Sequence, residues 1–313
     1  MSELMGTSDF MKKLSYIKKQ VIRRRWIYFM LIPVLAFYII FHYFPMYGVT
    51  MAFKNFNPVL GIMGSPWIGF QHFQSFFGSH FFWRLFRNTF LLSFYNLVFA
   101  FPAPIILAIL LNEIKKIMFK RTVQTIVYLP YFVSVVVVCG MMTDFLARDG
   151  LINDLIAALG GSRTSFLLDN NWFRTVFVAS DIWHGIGWGS IIYLAALTNI
   201  DPELYDAATI DGAGRFKQLL YVTLPGILST VIIMFILRCG ALLNVGLDKV
   251  LLLYSPIVYE TADVIQTFVY RRGLIEMNFS YATAVGLFNS IINFTMLVAV
   301  NYIARRTQET SLF

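Results

Sequence analysis

The chain has 313 residues, of which 58% are hydrophobic and only 13% are charged, and its mean hydropathy is +0.67. A soluble domain carries roughly a quarter charged residues, so this composition excludes an ordinary soluble protein and indicates that the bilayer is the solvent. The net charge of +8 is more typical of basic residues at an inner membrane surface than of nucleic-acid binding. Cys139 and Cys239 fall inside apolar runs, which favours reduced core thiols over a disulfide or a metal site.

Residues 1–25 form a basic tail that holds seven of the 25 Lys and Arg residues. The tail resembles the first region of a signal peptide, but no small-residue cleavage site follows it. The next apolar run is also longer than the core of a signal peptide. We therefore interpret the tail and the first apolar run as an uncleaved anchor.

Six apolar runs have roughly the 20 residues that a membrane-spanning helix needs. Helices are expected because lipid offers the backbone no hydrogen-bond partner. The predicted spans are 26–44, 90–111, 122–142, 172–197, 227–245 and 282–303. Three internal prolines, Pro33, Pro102 and Pro104, should kink the helices that contain them.

The distribution of positive charge predicts the orientation. Both tails, the loop near 112–122 and the segment 201–225 hold fifteen Lys and Arg residues, whereas the opposite and longer loops hold nine. We therefore expect both termini in the cytoplasm. The predicted divisions are a tail at 1–25, a first span with an outer segment at 26–85, a five-helix core at 86–303 and a second tail at 304–313. The aromatic outer part of the second division, 45–85, suits the outer interface beneath an extracytoplasmic partner.

The segment 201–225 is the longest polar interruption on the predicted cytoplasmic side. It has an N-cap residue and a proline for a first helical turn, acidic residues that favour the helix dipole, and two glycines that end the helix. The residues concerned are, in order, Asp201, Pro202, Glu203, Asp206, Gly212 and Gly214. A helix–glycine–helix hairpin at a membrane surface is typical of a docking element, and on spacing alone an ordinary loop is the alternative.

No residue pattern indicates catalysis by this chain. A Walker A motif does not occur, since the nearest segment, GAGRFK, lacks the required spacing. The four histidines are scattered, and none has the spacing of a zinc site. We therefore expect no cofactor and no metal on this chain, and no ATP hydrolysis by it.

Polar residues inside spans are costly in lipid and usually face the bundle interior or a water-filled cavity. In the fourth predicted span, Asp181, His184 and Trp188 share one helical face. A carboxylate and an imidazole can bond sugar hydroxyls, and an aromatic ring can cover the apolar face of a pyranose. Gly185 and Gly189 should let a neighbouring helix pack closely. Helix–helix hydrogen bonding is the alternative role for the polar residues.

Arg238 lies near the middle of the fifth predicted span, where an isolated arginine costs several kcal/mol and a partner is expected. Asp181 is the first candidate partner, and the rival role is binding a carboxylate on an acidic sugar. We expect Arg238 to face the cavity. Two further polar pairs are interpreted as interhelical hydrogen-bonding groups: Ser93 with Asn96, and Asn289 with Asn293.

The segment DPELYDAATIDGAGRFKQLLYVTLP resembles the EAA loop of permease subunits of binding-protein-dependent ABC importers. That pattern has EAA, three residues, a glycine and a later LP. Here Asp206-Ala207-Ala208, Gly212 and Leu224-Pro225 occupy those places, with Asp for the leading Glu. The resemblance implies that the hairpin fits a cleft on a separate cytoplasmic ATPase and transmits its motion. The implied coupling residues are Glu203, Asp206, Ala207, Ala208, Asp211, Gly212, Leu224 and Pro225.

The run SDIWHGIGW, followed by YLAALTNIDPELYDAA, is similar to a span of the larger maltose-importer permease subunit. In that family the matching face lines the sugar cavity, although of the matching positions only Gly185 keeps the family residue. The identity of the sugar therefore does not transfer. The implied and expected substrate-binding residues are Asp181, His184, Gly185, Trp188, Arg238 and Asn244.

Three further stretches resemble polysaccharide-type permeases of the LplB kind: IIFHYFPMYGVTMAFKNFNP, FKRTVQTIVYLPYFVSVVVV and LNVGLDKVLLLYSPIVYETADVI. With the EAA loop, the resemblance covers nearly the whole chain after residue 25. It implies an all-α integral membrane protein with the type I ABC importer permease fold, six transmembrane helices and both termini cytoplasmic, in a bacterial inner (cell) membrane.

The sequence thus predicts a permease subunit that takes an oligosaccharide from an extracytoplasmic solute-binding protein and moves it inward by ATP-driven alternating access. The expected partners are that binding protein, a second homologous permease, a cytoplasmic ATPase dimer that holds ATP and Mg, and the lipid bilayer, with no nucleic acid. One alternative is an ABC permease for a polyol, glycerol phosphate or amino acid. Another is an ion-coupled secondary transporter, which predicts paired repeats and midplane ion ligands that the sequence does not show.

Overall fold

The computed structural model describes residue 20 and residues 23–308 of the chain, and each regular element in that part is a helix. Most of the basic tail, with residues 1–19, and the end of the second tail, residues 309–313, lie outside the described residues. Beside the helices there is one isolated antiparallel bridge, between Lys54 and Trp67, in the predicted outer segment.

The described residues form twelve helices of six residues or more, in chain order. They are α1 (Arg25–Phe53), α2 (Gln71–Phe77), α3 (His80–Glu113), α4 (Ile117–Phe132), α5 (Val135–Phe145), α6 (Leu151–Ala158), α7 (Phe173–Thr198), α8 (Pro202–Ile210), α9 (Arg215–Gly240), α10 (Leu247–Leu253), α11 (Ile265–Tyr270) and α12 (Phe279–Gln308). Shorter helical turns lie at Gly61–Gly64, Phe166–Leu168, Pro256–Val258, Tyr259–Ala262 and Arg271–Ile275.

Four of the described helices, α1, α3, α9 and α12, are long and apolar enough to cross a membrane. The bent pair α4–α5 raises this number to five if it counts as one span. Helix α7 has 26 residues but includes the polar positions of the fourth predicted span. The prediction of an all-helical membrane fold is therefore confirmed, whereas six spans and cytoplasmic termini stay predictions.

Several predicted spans have other limits in the structure. Helix α1 ends at Phe53 and not at residue 44, and α9 covers Arg215–Gly240 and not 227–245. Helix α3 begins at His80, ten residues before the predicted start of its span, because Arg84 and Arg87 interrupt the apolar run without interrupting the helix. Phenylalanines stack along this part of α3 at i, i+4 spacing, with Phe82–Phe86 and Phe86–Phe90 centroids 6.0 and 6.4 Å apart. Hydropathy thus marked the edge of the apolar run and not the end of the helix.

The third predicted span, 122–142, is not one helix. Helices α4 and α5 meet at an angle of 99° across a short break. Pro130 lies in the last turn of α4, and Ser134 begins α5 as an N-cap that accepts a hydrogen bond from the amide of Val137. The run of apolar residues hides this break from hydropathy.

Prolines in three long helices follow a five-residue π-helical turn. Pro45, Pro102 and Pro225 each lie two residues after such a turn, at Ile39–Tyr43, Asn96–Ala100 and Leu219–Thr223. A proline has no N–H and its ring crowds the preceding turn, so a wider turn relieves the clash. Pro33, in contrast, lies inside α1 without a break in the helix.

Helix α7 lies at the centre of the packed bundle, and two glycines set how closely its neighbours approach. A Cβ added to Gly187 would lie 2.0 Å from the carbonyl oxygen of Val127 on α4, and one added to Gly189 would lie 2.9 Å from Pro104 on α3. Gly185 has open space where its Cβ would be. The predicted close packing therefore holds for Gly189 and is wrong for Gly185, and Gly187 makes the tightest approach.

Candidate transport cavity and coupling hairpin

A cavity of about 600 Å³ lies between α3, α7, α9 and the segment that follows α9. Five of the six residues expected to bind substrate line it: Asp181, His184, Gly185, Arg238 and Asn244. The open space at Gly185 belongs to this cavity, since a side chain there would project into it. Three separate parts of the chain thus bring polar groups to one hollow.

Asp181 forms an ion pair with Lys249, whose Nζ lies 2.5 Å from the Asp181 carboxylate. Lys249 is 8% exposed, donates a second hydrogen bond to the Phe177 carbonyl at 2.8 Å and lies over the Phe177 ring. Burial lowers the pKa of the Lys249 amine, and the Asp181 carboxylate acts in the opposite direction. Lys249 is on α10, between spans, so the pair fastens this short helix to α7.

The prediction that Arg238 pairs with Asp181 is therefore wrong. Among the described residues Asp181 is paired with Lys249, and Arg238 has no carboxylate within ion-pair distance. Helix α9 ends at Gly240, so Arg238 lies in its last turn and not at the middle of a span. A positive charge is favourable at that end of a helix. Its exposed guanidinium lines the cavity and is available to a ligand.

Trp188 is the one expected substrate residue that does not line this cavity. Its ring stacks on Tyr131 with centroids 4.7 Å apart and planes nearly parallel. His184 packs against the same tyrosine and lies 3.1 Å from the carbonyl oxygen of Val133 through its Nε2 atom. Both aromatic groups of the predicted face therefore hold the α4–α5 break against α7. Of the two, only His184 also borders the cavity.

Asn244 is held in place by the last helix. Its side-chain oxygen accepts hydrogen bonds from the amides of Asn289 and Asn293, each at 3.2 Å. The Asn293 oxygen in turn accepts from the backbone N–H of Leu243 at 2.8 Å. These two asparagines thus form the predicted interhelical bonds, and they orient a cavity residue.

The second predicted bonding pair is different. Ser93 and Asn96 are buried, but the Ser93 hydroxyl and the Asn96 side-chain oxygen have no hydrogen-bond partner among the described residues. The expected interhelical bonds of these two atoms are absent there. Asn96 lines the cavity and adds a polar residue to its wall.

The segment 201–225 forms the predicted hairpin. Asp201 caps α8 by accepting a hydrogen bond from the amide of Glu203 at 3.0 Å. Gly212 has φ of +75°, a conformation that side chains rarely adopt, and so reverses the chain after α8. Hydrogen bonds tie the two arms, from Gln218 to Thr209 at 2.9 Å and between Tyr205 and Thr223 at 3.0 Å.

One surface of the hairpin is exposed and is not covered by any other described part of the chain. Most of the expected coupling residues are exposed, and Gly212 has nothing within 4 Å of a Cβ position. Large apolar side chains beside them are exposed too, with Ile210 at 86% and Phe216 at 71%. Exposed apolar groups on a polar hairpin are typical of a surface that another protein covers.

Comparisons with known proteins agree on one family. A family model described as the inner membrane component of binding-protein-dependent transport systems matches residues 90–309. LplB of Bacillus subtilis is 46% identical over 93% of this chain and 92% of its own length. The polygalacturonan/rhamnogalacturonan transport system permease protein YteP of the same organism is 41% identical, over 94% and 92%. A chain of a bacterial alginate ABC transporter, solved in complex with alginate pentasaccharide-bound periplasmic protein, matches with TM-score 0.88 and 40% identity, over 94% and 99%.

The chain belongs to this family of inner membrane transport components. Together with its relatives, this membership confirms the prediction of a permease subunit of a carbohydrate ABC importer. The alternative of an ion-coupled secondary transporter no longer applies.

The sequence did not predict two features at the cavity: the pairing of Lys249 with Asp181, and the position of Asn96 in the cavity wall. Lys249 lies in a predicted outer loop, and nothing in the sequence predicts its pairing with Asp181, since the two residues lie 68 positions apart and no periodicity connects them. The sequence predicts Asn96 only as an interhelical hydrogen-bonding group, whereas the structure also places it in the cavity wall. A lone lysine in the apolar stretch KVLLLY was the available signal, since a charge there needs a buried partner.

Proposed function

We propose that this permease imports an acidic oligosaccharide and that Arg238 binds one of its carboxylates. Arg238 carries the proposal, because it is a cavity arginine with no ion-pair partner among the described residues. The carboxylate of Asp181 is already paired with Lys249, so the cavity keeps one uncompensated positive charge. A guanidinium recognises a carboxylate by two parallel hydrogen bonds.

The named substrates of two relatives support this chemistry. One relative is a permease for polygalacturonan and rhamnogalacturonan, and the solved transporter was crystallised with a binding protein holding an alginate pentasaccharide. Polygalacturonan and alginate both carry carboxylates. Uncharged polar groups in the same cavity, Asn96, Asn244 and Tyr193, can accept or donate hydrogen bonds to sugar hydroxyls.

We also propose the assembly that the permease needs. A binding protein delivers the sugar at the outer face, a second related permease completes the cavity, and two cytoplasmic ATPase subunits bind ATP and Mg. The exposed hairpin, with Glu203, Asp206, Ala207, Ala208, Asp211 and Gly212 on its first arm and Leu224 and Pro225 at its end, docks on the ATPase. In this assembly the permease crosses the inner membrane six times with both termini in the cytoplasm.

Replacing Arg238 tests the proposal directly. In the reconstituted importer, Arg238→Gln should lower uptake of a labelled oligogalacturonate about tenfold or more, since a charge-assisted hydrogen bond contributes about 1.5–3 kcal/mol. Arg238→Lys should retain part of the uptake. The matched control is the same sugar with its carboxylates methyl-esterified, whose uptake should not depend on residue 238.

The proposal fails if the wild-type importer moves the esterified sugar as well as the acid. It also fails if Arg238→Gln leaves the uptake of both sugars unchanged.

A further inference from the structure

A second cavity, of about 580 Å³, lies beside the first, nearer the start of α7. It is bordered by α3, α7 and the turn after α10, and its polar residues are Tyr95, Asn170, Asn171, Arg174, Thr175 and Thr261. We call it the outer cavity, because these residues lie on the predicted extracytoplasmic side. Ile182 borders both cavities, so they meet at one residue of α7.

The two cavities lie along one stretch of α7. Arg174, Val178 and Ile182 border the outer cavity, and Ile182, Gly185 and Gly189 border the inner one. These positions follow each other at spacings of three and four residues, which places them on one side of a helix. From Arg174 to Tyr193 the path covers 19 residues of helix, or about 28 Å. An extended chain molecule entering from outside can therefore contact both cavities.

Arg174 resembles Arg238 in having no carboxylate partner. No described Asp or Glu lies within ion-pair distance of its guanidinium, which donates one hydrogen bond to the neutral side-chain oxygen of Asn88 at 2.9 Å. Its Nε atom is buried without a partner. Nearby acids are already compensated: Glu260 pairs with Arg87 and Asp263 pairs with Arg271. The outer cavity thus keeps a net positive charge.

Asn88 fixes the orientation of this arginine. Asn88 is fully buried and donates hydrogen bonds to the backbone carbonyls of Glu260 and Asp263, at 2.9 and 3.1 Å. With both donor hydrogens used, its oxygen is left to accept from Arg174. Asn88 therefore acts as a positioning residue for Arg174.

We propose that the outer cavity is a second carboxylate subsite, in which Arg174 binds an acidic sugar unit while Arg238 holds another unit further in. This proposal rests on the proposed function and adds substrate length to it. A short acidic sugar fills only one subsite, whereas a longer one occupies both. The permease therefore prefers oligosaccharides long enough to reach from Arg238 to Arg174.

The test measures uptake of oligogalacturonates from dimer to hexamer by the complete importer in proteoliposomes. Arg174→Gln should lower uptake of the longer oligomers about tenfold and leave the dimer unchanged, and Arg174→Lys should restore part of the loss. Arg148→Gln is the matched control, because it removes an exposed outer arginine that borders neither cavity. It should leave uptake at every length as in the wild type.

Three results would overturn this subsite. Equal loss at all lengths, or loss of assembled importer that Arg174→Lys does not reverse, assigns Arg174 a structural role. Unchanged uptake of the longest oligomer removes its role in binding. If wild-type importer also takes up the methyl-esterified oligomers equally well, the acidic substrate itself is wrong, which separates failure of the proposed function from failure of the subsite.

Discussion

At the scale of single residues, the ion pair between Asp181 and Lys249 decides which charge the cavity offers. Lys249 makes two hydrogen bonds and a cation–π contact, all to α7. A buried ion pair contributes little net stability compared with apolar residues, but loss of one partner leaves a costly uncompensated charge. The main effect of the pair is therefore to fix the position of α10 on α7, and its net contribution to stability is small.

Lys249→Met should destabilise the permease by about 2 kcal/mol, because Asp181 is left unpaired in a largely buried site. The expected cost is below that of a fully buried pair, since the Asp181 side chain remains 31% exposed. The double variant Asp181→Asn with Lys249→Met should recover most of the loss. Thermal unfolding of the purified assembly measures both. If Lys249→Met alone is as stable as the wild type, the ion pair between Asp181 and Lys249 does not hold α10 on α7.

The sequence could predict at this scale which spans hold polar residues, but not how those residues pair. Helical spacing placed Asp181, His184 and Trp188 on one face, and the structure places only the first two at the cavity. Trp188 turns to Tyr131, because the α4–α5 break brings a tyrosine against α7. Such a contact depends on the path of another helix, which spacing within α7 does not contain.

At the scale of elements, the glycines of α7 have separate tasks. Gly187 allows the backbone of α4 to approach so closely that a methyl group would overlap the Val127 carbonyl. Gly185 widens the cavity instead, with no neighbour within 4 Å. These two glycines are two residues apart and so lie on nearly opposite sides of α7. Substitutions at the two positions can therefore be compared directly.

Gly187→Ala should destabilise the permease by about 1–3 kcal/mol through overpacking, and it should displace α4 from α7. Gly185→Ala should leave stability unchanged or slightly higher, because alanine is the better helix former and meets open space. Thermal unfolding of the two variants in the same detergent compares them. If the Gly187→Ala variant has the same unfolding temperature as the wild type, then the close approach of α4 does not exist in the assembled protein.

Elements were predictable where the apolar run and the helix nearly coincide, as in α12. They were not where a helix continues past the apolar run, as at His80, or where an apolar run contains a break, as at Ser134. Hydropathy reports contact with lipid, whereas helix ends depend on capping and proline chemistry. At the α4–α5 break the sequence contains both a proline, Pro130, and a capping residue, Ser134. The surrounding run of apolar residues nevertheless predicts one continuous span.

At the scale of the whole molecule, one helix connects the hairpin to the cavity. Helix α9 begins at Arg215, inside the hairpin, and reaches Arg238, which lines the cavity, without leaving helical conformation. The distance is 23 residues, or about 35 Å. The only departure from α-helical winding is the π turn Leu219–Thr223, just before Pro225. A displacement of the hairpin can therefore reach the substrate site through a single element.

A substitution at Gly212, in the turn of the hairpin, tests whether the hairpin is coupled to the cavity through α9. Valine there must adopt φ near +75°, at a cost of roughly 1–3 kcal/mol, and so distorts the hairpin. Gly212→Val should lower sugar uptake per ATP hydrolysed severalfold, while the importer still assembles in the membrane. Gly214→Val is the matched control, because Gly214 has φ of −69° and equally open surroundings, which a valine tolerates.

Uptake and ATP hydrolysis are measured on the same proteoliposomes, so that the ratio reports coupling and not the amount of importer. Coupling through the turn at Gly212 requires the two variants to differ, since they add the same side chain two residues apart and only one strains the backbone. Equal loss in both would mean that the hairpin surface is crowded in the assembly, whatever the conformation of residue 212. Normal uptake by Gly212→Val would mean that the turn plays no part in coupling, and that α9 transmits force from elsewhere.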